Sequence, residues 1–281
     1  MSESIKYMKK SDTKVLLLYL LKQLEKICEE GNITYYAYAG TLLGSVRHGG
    51  LIPWDDDIDV VIDRKDYDAF VEASKKVLVD PVVIHTREND PYFCQEYIKL
   101  CFKDDILGYS DISIDVFVLD ETNPKRKLFR ALQNSIVQSL YPIKVYKISR
   151  LQGEKPYKPK NKIKHLFLAA ASLLPLKTIE KLHKKTMTAE KKLCTHYVIW
   201  GSHYSYKKVT FDKNMWKGSV SIPYENTIIN AAENYKDSLL QMYGKNYMQL
   251  PPEDKRVDHG VRELNCSALD FEKIKQEVGD V

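Results

Sequence analysis

Apolar residues near the start of the chain recur with the period of an α-helix. Ser11 or Asp12 is suited to cap this helix, and Gly31 is suited to end it. Four side chains of the segment 13–30 fall on one helical face: Leu17, Leu21, Leu24 and Cys28. The pattern therefore predicts a long N-terminal helix with one buried side.

After this helix the pattern changes to short β-branched segments separated by helical ones. Strands are predicted at 35–39, 57–62, 97–102 and 112–119. Helices are predicted from Leu42 onward, at 66–79 and at 223–243, where Gly244 would end the last one. The chain is therefore predicted to contain both helices and strands.

Two aspartates in the second strand suggest a metal site. Alternate strand residues project to the same face, so Asp57 and Asp59 would lie about 6.6 Å apart on one side. Asp55 shares their parity, while Asp56 faces away. Mg²⁺ prefers hard oxygen ligands and usually takes one or two carboxylates. This spacing would therefore suit one Mg²⁺ ion.

Three alternatives compete with a magnesium site. Acidic clusters are often only solvated loops, but the apolar strand residues around these aspartates argue against that. A calcium loop requires a glycine where Val60 stands and a glutamate where Asp66 stands. A helix cap would explain Asp66, but it would leave Asp57 and Asp59 unexplained.

The small residues before this strand have two interpretations. Gly40 and Thr41 can simply turn the chain, or they can let backbone N–H groups and a hydroxyl approach a phosphate at a helix N-terminus. Arg47 and His48 lie in the connection to the strand. A guanidinium there could bind phosphate oxygens in a fork, whereas His48 could equally be a surface residue.

Taken together, these residues resemble a known family. A small-residue turn followed by a strand with Asp-x-Asp is similar to the nucleotidyltransferase fold of the DNA polymerase β type. The segment at 40–60, with the sequence GTLLGSVRHGGLIPWDDDIDV, is more similar still to the LicD family of phosphocholine transferases, whose relatives include the fukutin-type enzymes. The segment DISIDVFVLD at 111–120 and a looser tail at 222–259 extend the resemblance to about 11–262.

The resemblance implies a fold, a site and a reaction. The fold would be of the α+β class, a nucleotidyltransferase-like mixed sheet flanked by helices, with a basic helical insert. Asp57, Asp59 and Asp115 would form the catalytic and metal site for Mg²⁺, with Mn²⁺ as an alternative. Phosphocholine would move from CDP-choline to a hydroxyl of a surface glycan (teichoic acid, lipopolysaccharide or capsule), releasing CMP. Asp115 would be a ligand or the base, unless it only bonds a neighbouring loop.

Further residues are candidates for substrate binding. Trp54 is near enough in sequence to join an aromatic cage around a quaternary ammonium group, and Lys99 lies on a strand that could point toward the site. His259 belongs to a polar tail that would either close over the donor phosphates or be solvated. The full set is Gly40, Thr41, Arg47, His48, Trp54, Lys99 and His259.

Charge divides the chain into a basic part and an acidic remainder. The 281 residues carry a net charge of +5, but 124–192 holds eighteen Lys and Arg against three acids, a net of +15. Within it, 166–176 is an uncharged apolar stretch flanked by lysines, either a core helix or a membrane-surface contact. We therefore expect a catalytic core at 1–122, a basic insert at 123–192 and a completing part at 193–281. Peripheral membrane contact would run through 155–192, and nucleic acid is not expected as a partner.

Composition points to a globular protein of a reducing compartment. The chain is 44% apolar, which is enough for a sizeable core. Its five cysteines are odd in number and widely spread, and no secretory signal is recognisable at its start. The expected location is the cytoplasm, with the inner face of the cytoplasmic membrane as an alternative. Two other functions stay open: transfer of another polyol or sugar phosphate from a CDP-activated donor, and non-catalytic binding of a glycan or membrane.

Overall fold

The chain folds into two compact units. The computed structural model describes residues 9–155, 160–189, 192–202, 204–256 and 262–279. Unit 1 comprises Met1–Thr86, Tyr97–Leu119 and Lys213–Val281, and unit 2 comprises Arg87–Glu96 and Asp120–Asp212. The domain boundaries expected from charge and composition stay a prediction.

Helices and strands alternate irregularly along the described residues. The helices are α1 Lys10–Gly31, α2 Ala39–His48, α3 Tyr67–Val77, α4 Lys127–Leu151, α5 Lys162–Ala171, α6 Leu176–Met187, α7 Tyr235–Tyr243 and α8 Phe271–Val278. The strands are β1 Tyr35–Ala37, β2 Ile58–Asp63, β3 Val82–His85, β4 Ile98–Asp104, β5 Gly108–Thr122, β6 His196–Val198, β7 Thr210–Asp212, β8 Val220–Tyr224 and β9 Thr227–Ala231.

Unit 1 is built on a mixed sheet. Its strand order is β1-β2-β5-β4-β3, in which β2 and β5 are parallel and the other neighbours are antiparallel. Helix α1 packs against α3 and β4, and α2 packs against β2. The predicted α+β class, a mixed sheet flanked by helices, is therefore confirmed.

The first helix forms much of the core of unit 1. Its predicted apolar face is buried throughout, at Leu17, Leu21, Leu24 and Cys28, as the hydrophobic effect requires. The predicted cap was placed two to three residues too late, because the helix begins at Lys10 with Lys9 as its N-cap. Asp12 acts from inside the first turn instead, where its carboxylate accepts the backbone N–H of Lys9 at 3.1 Å.

The second helix begins earlier than the sequence suggested. Strand β1 ends at Ala37, and α2 begins at Ala39, so Gly40 and Thr41 lie in its first turn and not in a preceding turn. Ala39 adopts φ 46°, in the left-handed region that non-glycine residues rarely occupy. This residue makes the sharp change of direction that had been assigned to Gly40.

The late helix predicted at 223–243 is wrong over its first half. Strands β8 and β9 pair there as an antiparallel hairpin, with Pro223 opposite Ile228, and only Tyr235–Tyr243 is helical. Glu225 turns the chain with φ 55°. The consecutive β-branched residues Ile228 and Ile229 favour this strand over a helix.

Unit 2 has a small helical core and a short antiparallel extension. Strand β6 pairs with the end of β5 on one side and with β7 on the other. A buried ion pair joins Lys144 of α4 to Glu96, and His183 Nδ1 of α6 lies 3.0 Å from the same carboxylate. The three helices α4, α5 and α6 contribute the apolar core: Leu140, Ile143, Tyr146, Leu168 and Ile179.

The apolar stretch at 166–176 is split between two helices. Helix α5 ends at Ala171, and Pro175 is the N-cap of α6. Leu168 is buried, as a core helix requires, but other large apolar side chains are exposed: Leu166, Phe167, Leu173 and Leu174. None of the described helices is both long enough and apolar enough to cross a membrane.

Candidate active site

The side chains expected to bind a metal come from two neighbouring strands. The parallel register of β2 and β5 places Asp59 directly beside Asp115, and paired residues of neighbouring strands project to the same face. Asp57 immediately precedes β2. One carboxylate oxygen from each of the three residues lies within 4.8 Å of the others. The structure therefore brings together the three predicted ligands.

Burial and mutual repulsion disfavour ionisation of these carboxylates. Burial, followed by the charges of Asp55 and Asp115, raises the pKa of Asp57 to about 8. The pKa of Asp59 is raised well above its ordinary value, by burial first and then by Asp57. A divalent cation would relieve this repulsion, and carboxylate oxygens are the ligands that Mg²⁺ prefers. The donor set therefore fits such an ion.

Two hydroxyl groups hold the aspartates in place. Thr41 Oγ1 accepts the backbone N–H of Asp59 at 2.7 Å, so this buried residue of α2 positions the strand. Ser113 Oγ donates to Asp115 Oδ1 at 3.0 Å. Ser113 was not among the predicted site residues, although its parity on β5 matches that of Asp115. A contact of Thr41 with a substrate phosphate stays a prediction.

The first turn of α2 lies against the acidic loop. A Cβ atom added to Gly40 would be 2.7 Å from Asp55 Oδ2, so a larger residue would displace that carboxylate. The positive end of a helix dipole favours a negative charge at this position. Residues with unusual backbone dihedral angles, such as Ala39, are concentrated at functional sites. Gly40 is therefore required for the close approach of Asp55, whatever its role toward substrate.

Lys99 lies next to the carboxylate cluster. It pairs with Asp115 across β4 and β5, and its Nζ is 3.9 Å from Asp111 Oδ1. Its charge also lowers the pKa of Asp57, which opposes the larger effect of burial. The lysine is therefore close enough to contribute positive charge to the site.

Three other predicted residues lie at the end of α2 and in the following loop. Arg47 Nη1 donates to the backbone carbonyl of Tyr247 at 3.1 Å. The His48 ring packs edge-on against Trp54, with 5.7 Å between centroids, and the guanidinium of Arg256 lies 5.0 Å from the Trp54 ring centroid. These contacts are all within the protein, so the roles of Arg47, His48 and Trp54 toward substrate stay predictions.

The C-terminal tail returns to the acidic loop. Arg262 forms an ion pair with the buried carboxylate of Asp56, and its Nη1 is 3.7 Å from Asp111 Oδ2. His259 lies outside the described residues. The tail was expected either to close over the donor phosphates or to be solvated. Arg262 is not a freely solvated side chain, because its ion pair holds it beside the predicted site.

Two residues of the β8–β9 hairpin contribute to this region and were not predicted. Glu225 Oε1 accepts the N–H of Leu51 at 2.8 Å, and Oε2 is 2.5 Å from Lys14 Nζ. The hydroxyl of Tyr224 is buried and has no hydrogen-bond partner among the described residues. Burial, then the charge of Asp55, raises the pKa of Tyr224 well above its ordinary value. The hairpin was missed, so no sequence signal led to either residue.

A cavity of about 260 Å³ opens beside the acidic loop. Asp55 and Asp56 form one part of its wall, and Glu225 forms another. The start of α1 supplies polar and basic groups on the remaining side, at Lys10, Ser11, Thr13 and Lys14. The cavity provides space for part of a substrate next to the carboxylates.

Residues 32–94 match the nucleotidyltransferase domain described as LicD/FKTN/FKRP. This stretch of the chain is therefore similar to a LicD nucleotidyltransferase domain. The matched residues include Asp57 and Asp59, while Asp115 follows them in sequence. The lipopolysaccharide cholinephosphotransferase LicD of Haemophilus influenzae is 26% identical over 267 residues, which cover 90% of this chain and 96% of that protein.

Two uncharacterised rickettsial proteins are similar over shorter stretches. One from Rickettsia typhi is 29% identical over 154 residues, covering 53% of this chain and 45% of that protein. One from Rickettsia prowazekii is 33% identical over 107 residues, covering 31% of this chain and 40% of that protein. The LicD resemblance inferred from the sequence motifs is therefore confirmed, and the Haemophilus relative extends it over most of the chain.

Proposed function

We propose that the protein is a LicD-type phosphotransferase that moves phosphocholine from CDP-choline to a hydroxyl of a cell-surface glycan and releases CMP. The acceptor classes are lipopolysaccharide, teichoic acid and capsule. One observation carries the proposal: a carboxylate oxygen from each of Asp57, Asp59 and Asp115 lies within 4.8 Å of the other two. Asp57 and Asp59 also fall within the residues that match the LicD model. The Haemophilus relative, named a lipopolysaccharide cholinephosphotransferase, supports the choice of phosphocholine.

The proposed fold is nucleotidyltransferase-like, and the proposed metal is Mg²⁺, with Mn²⁺ as an alternative. Asp57, Asp59 and Asp115 would hold it. When bound, the ion would neutralise charge on the donor phosphates, as in other phosphoryl transfers. Lys99 adds a further positive charge beside the cluster.

The transfer itself exchanges one phosphorus–oxygen bond for another. The hydroxyl oxygen of the acceptor forms a bond to the phosphorus that bears choline, and the bond from this phosphorus to the oxygen of CMP breaks. The hydroxyl proton passes to a carboxylate of the cluster. Asp115 is suited to receive it, because its Oδ1 is held by Ser113 while it faces Asp59. A role for Asp115 as a metal ligand alone is the alternative.

We also propose that unit 2 makes peripheral contact with the inner face of a membrane through the segment 155–192. Leu166 and Phe167 of α5 and Leu173 after it expose large apolar surfaces. Lysines flank them, which suits an anionic lipid surface. Such contact would serve a lipid-linked glycan acceptor.

A donor screen tests the proposed reaction. The purified protein would be incubated with Mg²⁺, a lipid-linked or teichoic-type glycan and one of several CDP-activated compounds, and CMP release would be followed. We expect CMP from CDP-choline and phosphocholine on the glycan. CMP from a CDP-polyol or CDP-sugar alone would replace choline with that group. No CMP from any donor with any acceptor would contradict the enzyme assignment and favour a non-catalytic binding protein.

A further inference from the structure

Unit 2 contains a cavity of about 300 Å³ whose wall includes several aromatic rings. Helix α4 contributes four residues spaced so that they share one helical face: Asn134, Val137, Gln138 and Tyr141. The segment between β6 and β7 contributes three more aromatic rings: Trp200, Tyr204 and Tyr206. A concave apolar wall with a few polar groups is the usual form of a small-molecule site, and this volume suits a small ligand.

Charges around the cavity disfavour an ionic ligand. The wall includes the carboxylate of Glu96, but this group is already paired with Lys144 and His183, so it offers no free charge to an ionic ligand. Cations already lie near two of the rings: Arg130 is 5.4 Å from the centroid of Tyr206, and Lys208 Nζ is 5.7 Å from that of Tyr204. They would oppose a second cation, including a quaternary ammonium group. A neutral ligand is the remaining class.

A buried polar atom in the wall calls for a hydrogen-bonding ligand. The side chain of His183 is 1% exposed and lines the cavity. Its Nε2 has no hydrogen-bond partner among the described residues. Buried polar atoms without partners are costly, so they usually bind water or a ligand. An imidazole nitrogen can donate or accept, and a hydroxyl group can match either state.

We infer that this cavity binds one neutral sugar ring. The C–H face of a pyranose is apolar and can lie against an aromatic ring such as Trp200, while its hydroxyls exchange hydrogen bonds with amide groups. Asn134 and Gln138 offer such groups one turn apart on α4. His183 Nε2 supplies a further partner from the buried side. The inference requires neither a metal nor a donor, so it stands apart from the proposed transfer reaction.

Binding to the full-length protein in EDTA tests the inference. Methyl glycosides of glucose, galactose and N-acetylglucosamine would be measured by saturation-transfer NMR and titration calorimetry, with choline chloride and inorganic phosphate as ionic comparisons. We expect at least one glycoside to bind and neither ion to compete with it. Gln138→Ala should weaken the binding about tenfold, because one hydrogen bond to the ligand is lost and is worth roughly that factor.

A matched control lies next along the same helix. Ser139 does not line the cavity, and its hydroxyl donates to the carbonyl of Ser135, so Ser139→Ala should bind the glycoside with unchanged affinity. Trp200→Ala should weaken binding further, with circular dichroism as the check on folding. If Gln138→Ala and folded Trp200→Ala bind as tightly as the parent, if choline binds and sugars do not, or if no glycoside binds, the inference is overturned.

Discussion

The fold holds the carboxyl groups of the three site aspartates close together. Burial and the neighbouring charges raise the pKa of both Asp57 and Asp59, which means that ionising the cluster costs free energy. Ser113 and Thr41 nevertheless hold the cluster in one geometry. An arrangement that is unfavourable without a cation and is supported by hydrogen bonds is what a preorganised metal site requires.

Asp57→Asn should separate the metal site from the fold. We expect turnover to fall by about a hundredfold or more, because one carboxylate ligand is lost. In EDTA the variant should be at least as stable as the parent, since a carboxyl group that is costly to ionise is replaced by a neutral amide. Adding Mg²⁺ should raise the Tm of the parent more than that of the variant. Thermal unfolding with and without Mg²⁺, together with CMP release, measures both effects.

The exposed aspartate of α3, Asp68, provides the control for this variant. Asp68→Asn changes the net charge equally and should leave both turnover and the Mg²⁺-dependent rise in Tm unchanged. Full activity of Asp57→Asn would mean that the metal site has been assigned to the wrong residues.

The hydroxyl group of Tyr224 makes no hydrogen bond that would stabilise the described part of the fold. It is buried without a hydrogen-bond partner there, and burial and the charges of Asp55 and Asp57 raise its pKa. Tyr224→Phe should therefore change the free energy of unfolding by no more than about 1 kcal/mol. We expect turnover to fall roughly tenfold, because the hydroxyl would no longer be able to donate a hydrogen bond to the bound donor.

Tyr35 is a matched control for Tyr224→Phe. It is also buried, but its hydroxyl is hydrogen-bonded to the backbone of Asn230. Tyr35→Phe should lower the free energy of unfolding by about 1 kcal/mol and leave the rate constant for CMP release unchanged. Loss of stability without loss of turnover in Tyr224→Phe would assign its hydroxyl to the fold.

At the scale of elements, the β8–β9 hairpin holds the loop that leads into the acidic residues. Glu225 accepts the N–H of Leu51 and pairs with Lys14 of α1, while its own N–H donates to the carbonyl of Gly49 at 2.6 Å. Ser45 Oγ donates to the carbonyl of Pro223 at 2.6 Å. The hairpin is therefore bonded to both α2 and the loop that follows it.

Glu225→Ala should release this loop. Leu51 loses its acceptor and Lys14 its counter-charge, so we expect the free energy of unfolding to fall by about 1–3 kcal/mol. Turnover should also fall, because the aspartates at 55–57 follow directly. Glu225→Gln keeps an acceptor for Leu51 and should retain most of both. Chemical denaturation and CMP release measure the two effects, and an Ala variant with parental stability and turnover would contradict this role.

The same elements show what the sequence could predict. The alternation of side chains along the predicted strands pointed to Asp57, Asp59 and Asp115 as candidate ligands. This was possible because the face to which a strand residue projects depends only on its local position in the sequence. The hairpin was taken for a helix, because the left-handed conformation of Glu225 has no glycine to mark it. The ion pair of Arg262 with Asp56 joins residues 206 positions apart. Such a contact depends on the whole fold, which local patterns do not specify.

A buried ion pair between elements of unit 2 makes its stability sensitive to acid. Burial alone would raise the pKa of Glu96, but hydrogen bonding and charge from His183 and Lys144 outweigh it and lower the pKa to about 2. The carboxylate therefore stabilises the fold fully above its ordinary pKa, near 4.5, and this contribution is lost as the pH falls toward 2. Its size is on the order of 3 kcal/mol.

Glu96→Gln isolates this contribution from other acidic groups. At pH 7 we expect the variant to be about 3–5 kcal/mol less stable, because Lys144 keeps a buried charge without its partner. The difference from the parent should shrink as the pH is lowered from 5 to 2. Urea unfolding at each pH measures it, and a constant difference across this range would contradict the assigned ionisation of Glu96.

For the whole molecule, charge is distributed so that the basic segment 124–192 carries +15 while the remainder is acidic. Exposed apolar side chains lie in the same segment, at α5 and just after it. Apolar surface alone would favour association with many partners, and positive charge alone would favour any polyanion. Together they favour an anionic lipid surface, where each nearby base contributes about 1 kcal/mol.

Replacing Leu166 and Phe167 by Gln should therefore weaken binding to vesicles that contain anionic lipid, because both side chains are largely exposed, Leu166 at 71%. Co-sedimentation with vesicles is the measurement, and raising the salt concentration should weaken binding of the parent as well. Leu107→Gln is the matched control, since Leu107 is 70% exposed but lies in the acidic remainder. Equal loss in the control, or no loss in the double variant, would contradict membrane contact through α5.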